Sequence, residues 1–293
     1  MGMKVGFIGL GVMGEPMARH LRAAGHDVAL WARRPESAAA LVAEGALLCA
    51  TPAQLAARSE VVVTIVTASA DVEALAFDAQ GLAEGFAAGA IHLDMSTISP
   101  ATARSLAARY AERGIGWVDA PVSGGVQGAR EATLAIMAGA EAAALARVRP
   151  LLEAMGKRIV HIGPPGAGQV AKACNQMIMV SAIQACAEAV RLASAHGVDV
   201  AAVRSALMAG SAGSRVLEVM GDKMLRRDFA AGIEARLHHK DFAILMDEAA
   251  KLGVPLPVAA QVWQQLNALM GQGMARDDTS SLLRVLEATP PGA

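Results

Sequence analysis

The chain has 293 residues, of which 54% are hydrophobic and 18% are charged, and its formal net charge is −1. This composition is typical of a folded protein with one large domain or two ordinary ones, and it excludes an intrinsically disordered chain. The balanced charge provides no bulk basic surface for nucleic acid. No stretch reaches the roughly 18 uninterrupted apolar residues of a membrane span. We therefore expect neither nucleic acid nor a membrane as a partner.

The sequence has three cysteines, Cys49, Cys174 and Cys186. They form neither a CxxC pair nor a Cys/His spacing typical of zinc, so we expect no metal site. An odd, sparse set of thiols is typical of a reducing compartment, which favours the cytoplasm. We expect each thiol to be a small buried apolar side chain.

The first half of the chain alternates between predicted strands and helices. The predicted strands cover residues 4–10, 27–31, 60–65, 91–94, 117–120, 133–137 and 158–162. Helices are predicted between them, for example at residues 13–24, 35–44, 101–113 and 141–155. Strand and helix in alternation at this spacing predict an α/β fold of the Rossmann class, with a doubly wound parallel sheet covered on both faces.

The pattern changes after "GPPGAG" at residues 163–168, because only helices are predicted beyond it. They cover residues 169–196, 200–209, 236–252, 257–270 and 280–288. We therefore expect an α/β domain over residues 1–165 and an all-helical domain over residues 166–293. One face of the helix at 169–196 has small side chains that would let another helix approach, so we expect a homodimer or homotetramer. The final "TPPGA" is expected to fray.

The first predicted crossover carries a GxGxxG turn, formed by Gly9, Leu10, Gly11, Val12, Met13 and Gly14. Between a strand and a helix, such a turn is typical of dinucleotide binding. Gly9 permits the tight turn, Gly11 lets the backbone approach a pyrophosphate, and Gly14 lets the helix pack closely. Amide groups at the helix start then face the phosphates. The alternative is a glycine-rich turn with no ligand.

The end of the second predicted strand indicates which dinucleotide binds. A carboxylate that holds the ribose usually stands about 20 residues beyond the glycine turn. This chain has Ala32, Arg33 and Arg34 at that place. Alanine cannot accept a hydrogen bond from a ribose, whereas arginine can pair with a 2′-phosphate. We therefore predict NADP(H), with NAD(H) possible; either arginine could instead be a solvated loop charge.

Two further stretches carry polar groups suited to catalysis. "GAGQVAKACNQ" places Lys172 and Asn175 three residues apart on one face of the long helix, just after the expected domain boundary. Lys172 has apolar neighbours, so it is a partly buried candidate proton donor, with a surface lysine as the alternative. "DAPVSGG" follows a strand and offers the Ser123 hydroxyl and the amides of Gly124 and Gly125 to a carboxylate, unless it is an ordinary turn.

The later stretch "LHHKDF" places Lys240 and Asp241 next to two histidines. His238 and His239 are adjacent, so on a helix they diverge by about 100° and make poor joint metal ligands. We favour solvated or hydrogen-bonded histidines at this place.

Taken in order, "GFIGLGVMGEPMA", "DMSTISP", "DAPVSGG", "GAGQVAKACNQ" and "LHHKDF" resemble the β-hydroxyacid dehydrogenase family over nearly the whole chain. That family includes 3-hydroxyisobutyrate dehydrogenases and 2-hydroxy-3-oxopropionate reductases. The resemblance implies an oxidoreductase that interconverts a small 3-hydroxy acid and its semialdehyde or 3-oxo acid. The chain departs from many members at Ala32, where they have Asp or Asn, which weakens the case for NAD.

The resemblance also implies a role for each matching residue. Lys172 would be the general acid and base at the substrate oxygen, and Asp241 would orient its helix. The substrate would be held by Ser123, Gly124, Gly125 and Asn175. The cofactor would also be contacted by Val66, Thr97 and Lys240.

Several activities stay open within this resemblance. "RDFAAGIEARLHHKD" favours a 2-hydroxy-3-oxopropionate reductase over a 3-hydroxyisobutyrate dehydrogenase. Gln169 stands where the related 6-phosphogluconate dehydrogenases carry a histidine, so a phosphorylated sugar acid is not expected. Imine reductases usually replace the lysine, so Lys172 favours a carbonyl substrate over an imine. A dinucleotide-binding regulatory protein without turnover is the alternative from another class.

Overall fold

The computed structural model describes residues 2–288 and shows two compact units, the first ending at Lys172 and the second beginning at Ala173. The "TPPGA" segment, predicted to fray, lies outside the described residues. The sequence places the boundary at residue 165, whereas the structural division falls later, inside the long helix. The first turn of that helix belongs to the first unit because the buried Asp119 carboxylate accepts hydrogen bonds from its backbone.

The first unit is built on a sheet that has nine strands within the described residues. The strand order is β3-β2-β1-β4-β5-β6-β8-β7, and β9 also pairs with β8. The strands are β1 (Lys4–Ile8), β2 (Asp27–Trp31), β3 (Leu47–Leu48), β4 (Val61–Thr64), β5 (Ile91–Asp94), β6 (Gly116–Asp119), β7 (Val122–Ser123), β8 (Leu134–Ala140) and β9 (Gly156–Gly163).

Most neighbouring strands are parallel, which confirms the predicted fold class. The pairs β1–β2, β1–β4, β2–β3, β4–β5, β5–β6 and β8–β9 are parallel. Strand β8 is antiparallel to both β6 and β7. The connection from β7 to β8 covers only residues 124–133, which is shorter than the dozen or more residues that a parallel crossover needs.

The helices of the first unit fill the connections between strands. They are α1 (Gly14–Ala23), α2 (Ala39–Ala43), α3 (Pro52–Ala57), α4 (Ser69–Phe77), α5 (Leu82–Gly85), α6 (Pro100–Ala111), α7 (Gly125–Arg130) and α8 (Ala142–Met155), with a 3-10 turn at Pro35–Ala38. All four residues of β4 and of β5 are buried, as is typical of parallel strands covered on both faces. Phe7, Leu30 and Val63 are fully buried in the core of this unit.

The second unit consists of helices around a separate apolar core. After the long helix α9 (Ala167–Ala195) come α10 (Val200–Ala209), α11 (Arg215–Arg226), α12 (Ala235–Leu252), α13 (Pro257–Gly271) and α14 (Leu282–Glu287), with a 3-10 turn at Thr279–Ser281. Val180, Ile183, Phe242 and Leu266 lie in its core. Helix α11 was not among the predicted helices; its start is marked by Ser214, whose hydroxyl accepts a hydrogen bond from the Leu217 amide.

Helix α9 is long and apolar enough to cross a membrane by length and composition, although one-third of its most apolar window is buried within the protein. The core helix of a globular protein passes the same test. Cys49 and Cys186 are buried as expected, but the prediction is wrong for Cys174, which is exposed on α9. Cys174 and Ile178 are exposed on the predicted face of α9, whereas Cys186 on the same face is buried. The residues of this face are Ala171, Cys174, Asn175, Ile178, Ala182, Ala185, Cys186 and Ala189.

Candidate active site

The glycine turn between β1 and α1 has the shape that a phosphate cradle requires. Gly9 has φ +101°, and a Cβ there would lie 2.0 Å from the Ile65 carbonyl oxygen. A Cβ on Gly14 would lie 1.9 Å from the Gly9 carbonyl oxygen, whereas a Cβ on Gly11 would have nothing within 4 Å. Met13 provides no side-chain cap for α1. The turn is therefore tightly packed on one side and open beside Gly11, which fits a dinucleotide pyrophosphate.

A cavity of about 560 Å³ opens beside this turn, within the usual size range of small-molecule sites. Its lining includes the predicted cofactor residues Gly9, Leu10, Gly11, Arg33, Arg34 and Val66. It also includes Trp31 and Asp71, which the sequence did not single out. The strand order β2-β1-β4 explains why the segments after β2 and β4 both flank the glycine turn.

The two arginines at the end of β2 have different surroundings. The Arg33 guanidinium is largely exposed and lies 3.5 Å from the Asp71 carboxylate. The Arg34 carbonyl accepts hydrogen bonds from the amide and hydroxyl of Ser37. Arg33 therefore already has an anionic partner at the cavity, and a 2′-phosphate would meet Asp71 as well as Arg33.

A buried chain of polar side chains supports the cavity from inside the sheet. The His92 Nδ1 lies 3.0 Å from the Tyr110 hydroxyl, and its Nε2 lies 2.8 Å from the Thr64 hydroxyl. Thr64 donates to the Asp94 carboxylate at 2.7 Å, and Ser96 donates to the same oxygen at 2.6 Å. A neutral His92 that accepts from Tyr110 and donates to Thr64 satisfies every one of these bonds.

Burial controls the ionisation of two titratable side chains in this buried polar series, His92 and Asp94. It lowers the pKa of His92 to about 3, so that the ring is neutral near pH 7. It raises the pKa of Asp94 to about 6, against the hydrogen bonds from Ser96 and Thr64 that lower it. The Ser96 hydroxyl accepts a hydrogen bond from the Val66 amide at 2.8 Å. These hydrogen-bonded side chains therefore fix the backbone of Val66 beside the cavity. They also fix the start of the loop that carries Thr97.

The structure brings Lys172 together with the predicted carboxylate-binding loop. Lys172 is 7% exposed, and its Nζ donates to the Val122 carbonyl oxygen at 2.7 Å. Ser123 follows directly, and then Gly124 (φ +137°) and Gly125 (φ +63°), whose backbone conformations favour glycine. The sequence predicts a partly buried Lys172; the side chain is more deeply buried than that, and its ammonium lies at the start of this loop.

The residue that opens the same segment, Asp119, anchors the start of α9. Its carboxylate accepts hydrogen bonds from the amides of Gly166 at 2.7 Å and Gln169 at 3.1 Å, and from the Trp117 indole at 3.3 Å. Burial raises the pKa of Asp119, while these hydrogen bonds oppose the shift. A carboxylate at a helix N-terminus stabilises that end of the helix.

The second unit contains another linked set of predicted residues. The Asn175 side-chain amide donates to Gln176 at 2.9 Å, and Gln176 donates to the Asp241 carboxylate at 2.5 Å. The Lys240 ammonium lies 2.9 Å from the other carboxylate oxygen of Asp241. The buried Asp241 carboxylate therefore contacts Lys240 directly and is linked to Asn175 through Gln176. The resemblance implies ligand contacts for both Asn175 and Lys240.

The two neighbouring histidines of α12 make separate hydrogen bonds. His238 lies 2.7 Å from the Thr279 hydroxyl. His239 lies 2.9 Å from the Asn267 side-chain oxygen and stacks on Trp263. Within residues 2–288, no three His, Cys, Asp or Glu side chains form a group that could hold a metal ion.

Two family models match the chain in succession. The model of the NAD binding domain of 6-phosphogluconate dehydrogenase matches residues 4–163. The model described as NAD-binding of NADP-dependent 3-hydroxyisobutyrate dehydrogenase matches residues 166–286.

Similar proteins match over almost their full length. The chain is 40% identical over 285 residues to 2-hydroxy-3-oxopropionate reductase from Escherichia coli (strain K12), with 97% of each chain covered. It is 36% identical over 293 residues to the NAD-dependent L-serine dehydrogenase of Pseudomonas aeruginosa, with 98% of each chain covered. The solved Mycobacterium tuberculosis 3-hydroxyisobutyrate dehydrogenase with L-serine has a TM-score of 0.89 and 32% identity, covering 98% of this chain and 99% of that one.

The parallel sheet, the glycine cradle and the cavity beside it are the features of a dinucleotide-binding domain, and the family model that matches residues 4–163 is that of an NAD binding domain. The chain belongs to the β-hydroxyacid dehydrogenase family and is an NAD(P)-dependent 3-hydroxyacid dehydrogenase. The predicted family and enzyme class are thereby confirmed.

Proposed function

We propose that the chain is an NADP(H)-dependent enzyme that interconverts a small 3-hydroxy acid and its semialdehyde or 3-oxo acid, of the 2-hydroxy-3-oxopropionate reductase type. The observation that carries this proposal is the buried Lys172 ammonium, held at the Val122 carbonyl beside the Ser123 loop. This arrangement provides a proton donor next to a carboxylate-binding segment. The similarity to the Escherichia coli relative supports the substrate class.

In the first unit, Lys172 and the Ser123 loop have separate proposed roles. When bound, the nicotinamide supplies or accepts the hydride. Lys172 donates a proton to the carbonyl oxygen as negative charge develops there, and takes it back in the oxidation. The Ser123 hydroxyl and the amides of Gly124 and Gly125 bind the substrate carboxylate. The hydrogen bond to Val122 fixes the position from which the lysine acts.

The residues of the second unit complete the proposed contacts. The proposed role of Asn175 is to bind the substrate, and that of Lys240 is to bind the cofactor. Asp241 orients both through the hydrogen bond to Gln176 and the ion pair with Lys240. In the first unit, Val66 lines the cofactor cavity and Thr97 contacts the nicotinamide half.

The proposed preference for NADP(H) depends on Arg33, with Arg34 as support. The absence of a carboxylate at Ala32 and the position of Arg33 at the cavity support it. We expect Arg33→Asp to raise the KM for NADPH by about ten- to a hundredfold, because a charge-assisted hydrogen bond is lost. The KM for NADH should fall or stay constant. An unchanged NADPH/NADH ratio would show that the 2′-phosphate is recognised elsewhere.

A spectrophotometric screen tests the proposed reaction. Small semialdehyde acids are offered with NADPH or NADH, and 3-hydroxy acids with NADP or NAD. We expect the highest turnover with NADPH and a short semialdehyde acid. A preference for 3-hydroxyisobutyrate would instead indicate a 3-hydroxyisobutyrate dehydrogenase.

The same screen separates the remaining alternatives. Tight NADPH binding without turnover of any acid would favour a non-catalytic, regulatory protein. Activity on imines that needs no substrate carboxylate and survives Ser123→Ala would favour an imine reductase.

We also propose that the enzyme is a homodimer or homotetramer in the cytoplasm. The exposure of Cys174, Ile178 and Ala185 on one face of α9 supports association, and the sparse thiols support a reducing compartment.

A further inference from the structure

Gln169 lies in the first turn of α9, three residues before Lys172, and is almost completely buried. Its side-chain amide donates to the Ser96 carbonyl oxygen at 2.9 Å. Its side-chain oxygen accepts from the Ile98 amide at 3.1 Å. These two hydrogen bonds are made to the residues on either side of Thr97, so one side chain holds both flanks of the loop proposed to contact the nicotinamide half.

The backbone of the same helical turn is fixed independently. The Gln169 and Gly166 amides donate to opposite oxygens of the Asp119 carboxylate. Asp119 stands three residues before Val122, whose carbonyl accepts the Lys172 ammonium. The first turn of α9 is therefore held in a fixed position relative to the Thr97 loop and to the segment from Asp119 to Val122.

The first turn of α9 also packs closely against β8 and the backbone of Asp119. A Cβ on Gly168 would lie 2.4 Å from the Met137 carbonyl oxygen and 2.7 Å from the Asp119 carbonyl oxygen. A Cβ on Gly139 would lie 2.6 Å from the Gly168 amide nitrogen. These distances are shorter than real Cβ contacts allow, so the backbone of α9 lies directly against β8.

We propose that Gln169 is a positioning residue, which aligns the Thr97 loop with the helical turn that carries Lys172. Binding both the Ser96 carbonyl and the Ile98 amide requires one donor and one acceptor without a net charge, which a glutamine amide provides. Glutamate lacks the donor when ionised, and methionine lacks both groups. The proposal rests on the proposed roles of Lys172 and Thr97. It adds that their mutual alignment, rather than their presence alone, sets the rate of hydride transfer.

The first test compares Gln169→Met with a matched control, Gln184→Met. Gln184 is also buried and donates to Glu188, within the second unit. We expect Gln169→Met to lower kcat by about ten- to a hundredfold, because misplacement of reacting groups by about 1 Å has that effect. The Kd for NADPH should change by only about threefold or less, and the deuterium isotope effect on kcat should rise. Gln184→Met should leave kcat unchanged.

The second variant, Gln169→Glu, gives a readout that a general loss of stability would not produce. An ionised glutamate can accept from Ile98 but cannot donate to Ser96, whereas a protonated one can do both. Burial raises the pKa of a carboxyl group, so protonation should occur within an accessible pH range. We expect its kcat relative to wild type to recover as pH falls. This variant also keeps the proposal testable if Gln169→Met does not fold.

Two results would overturn the proposal. One is a kcat for Gln169→Met within about twofold of wild type, and the other is a Gln169→Glu activity ratio that does not depend on pH. Failure of the proposed function looks different, because wild type would then show no turnover or Lys172→Ala would retain it. Normal Gln169 variants beside an inactive Lys172→Ala would contradict the positioning role alone.

Discussion

The Asp71 carboxylate places a negative charge beside Arg33, where a bound cofactor would meet it. Its carboxylate lies 3.5 Å from the Arg33 guanidinium and also accepts the Ala68 amide at the start of α4. Asparagine can keep the second interaction without the charge. We expect Asp71→Asn to lower the KM for NADPH by about two- to fivefold, the range of an exposed ion pair. The KM for NADH serves as the control; equal changes for both cofactors would contradict the interpretation.

Asp94 should make stability depend on pH in a predictable direction. Burial raises its pKa in the folded protein to about 6 from 3.8, so the folded state binds more protons between these values. Its favourable contribution is therefore complete below pH 3.8 and is lost as pH rises through 6. The shift in the Asp94 pKa corresponds to a change of about 3 kcal/mol in the unfolding free energy.

Asp94→Asn removes this titration while keeping one oxygen as an acceptor. The unfolding free energy of wild type minus that of the variant should fall between about pH 4 and pH 6 and then stay constant. Chemical denaturation of both proteins across this range measures the difference. A difference that is independent of pH would show that Asp94 does not titrate in this way.

At the level of the elements, the first turn of α9 depends on glycine at residue 168. Gly168→Ala places a methyl group 2.4 Å from the Met137 carbonyl oxygen, so we expect a loss of about 1–3 kcal/mol in stability. The matched control is Gly271→Ala on α13, where a Cβ meets nothing within 4 Å. Because alanine favours a helix, this control should be neutral or stabilising by up to about 1 kcal/mol. Thermal unfolding that shows equal shifts would contradict the close packing.

Elements with a strong hydrophobic pattern could be predicted from the sequence. The strands at Asp27–Trp31 and Ile91–Asp94 were predicted with their observed bounds. The two-residue strand β7 and the antiparallel direction of β8 were missed, because strand direction depends on the connection and on pairing with distant strands. The short helix α3 was missed as well, although Thr51 before Pro52 is a typical start signal.

The site shows the same division between local and tertiary signals. Lys172 and the Ser123 loop could be proposed as site residues because each stands in a recognisable local pattern. Gln169 was noted only for replacing a histidine, since its partner Ser96 is 73 residues away. Asp94 acts through Thr64, which is 30 residues away. Such contacts become visible only when the sheet places distant strand ends together.

At the level of the whole molecule, the exposed face of α9 predicts association. Ile178 on this face is 67% exposed, so Ile178→Lys should weaken contact between copies. Light scattering of wild type should give two or four times the chain mass of 30.0 kDa, and the variant should give a smaller mass. Val258→Lys, which changes an exposed apolar residue of α13, is the matched control. A monomeric wild type would contradict the prediction.

The central claim is that the buried Lys172 supplies the proton during carbonyl reduction. It is tested most directly by single-turnover hydride transfer in Lys172→Ala loaded with NADPH, with exposed Lys157→Ala as the control. The rate should fall by about a hundredfold or more in Lys172→Ala, because general acid catalysis contributes at least that factor. NADPH binding should be retained, and Lys157→Ala should match wild type. A near-normal rate in Lys172→Ala would contradict the claim.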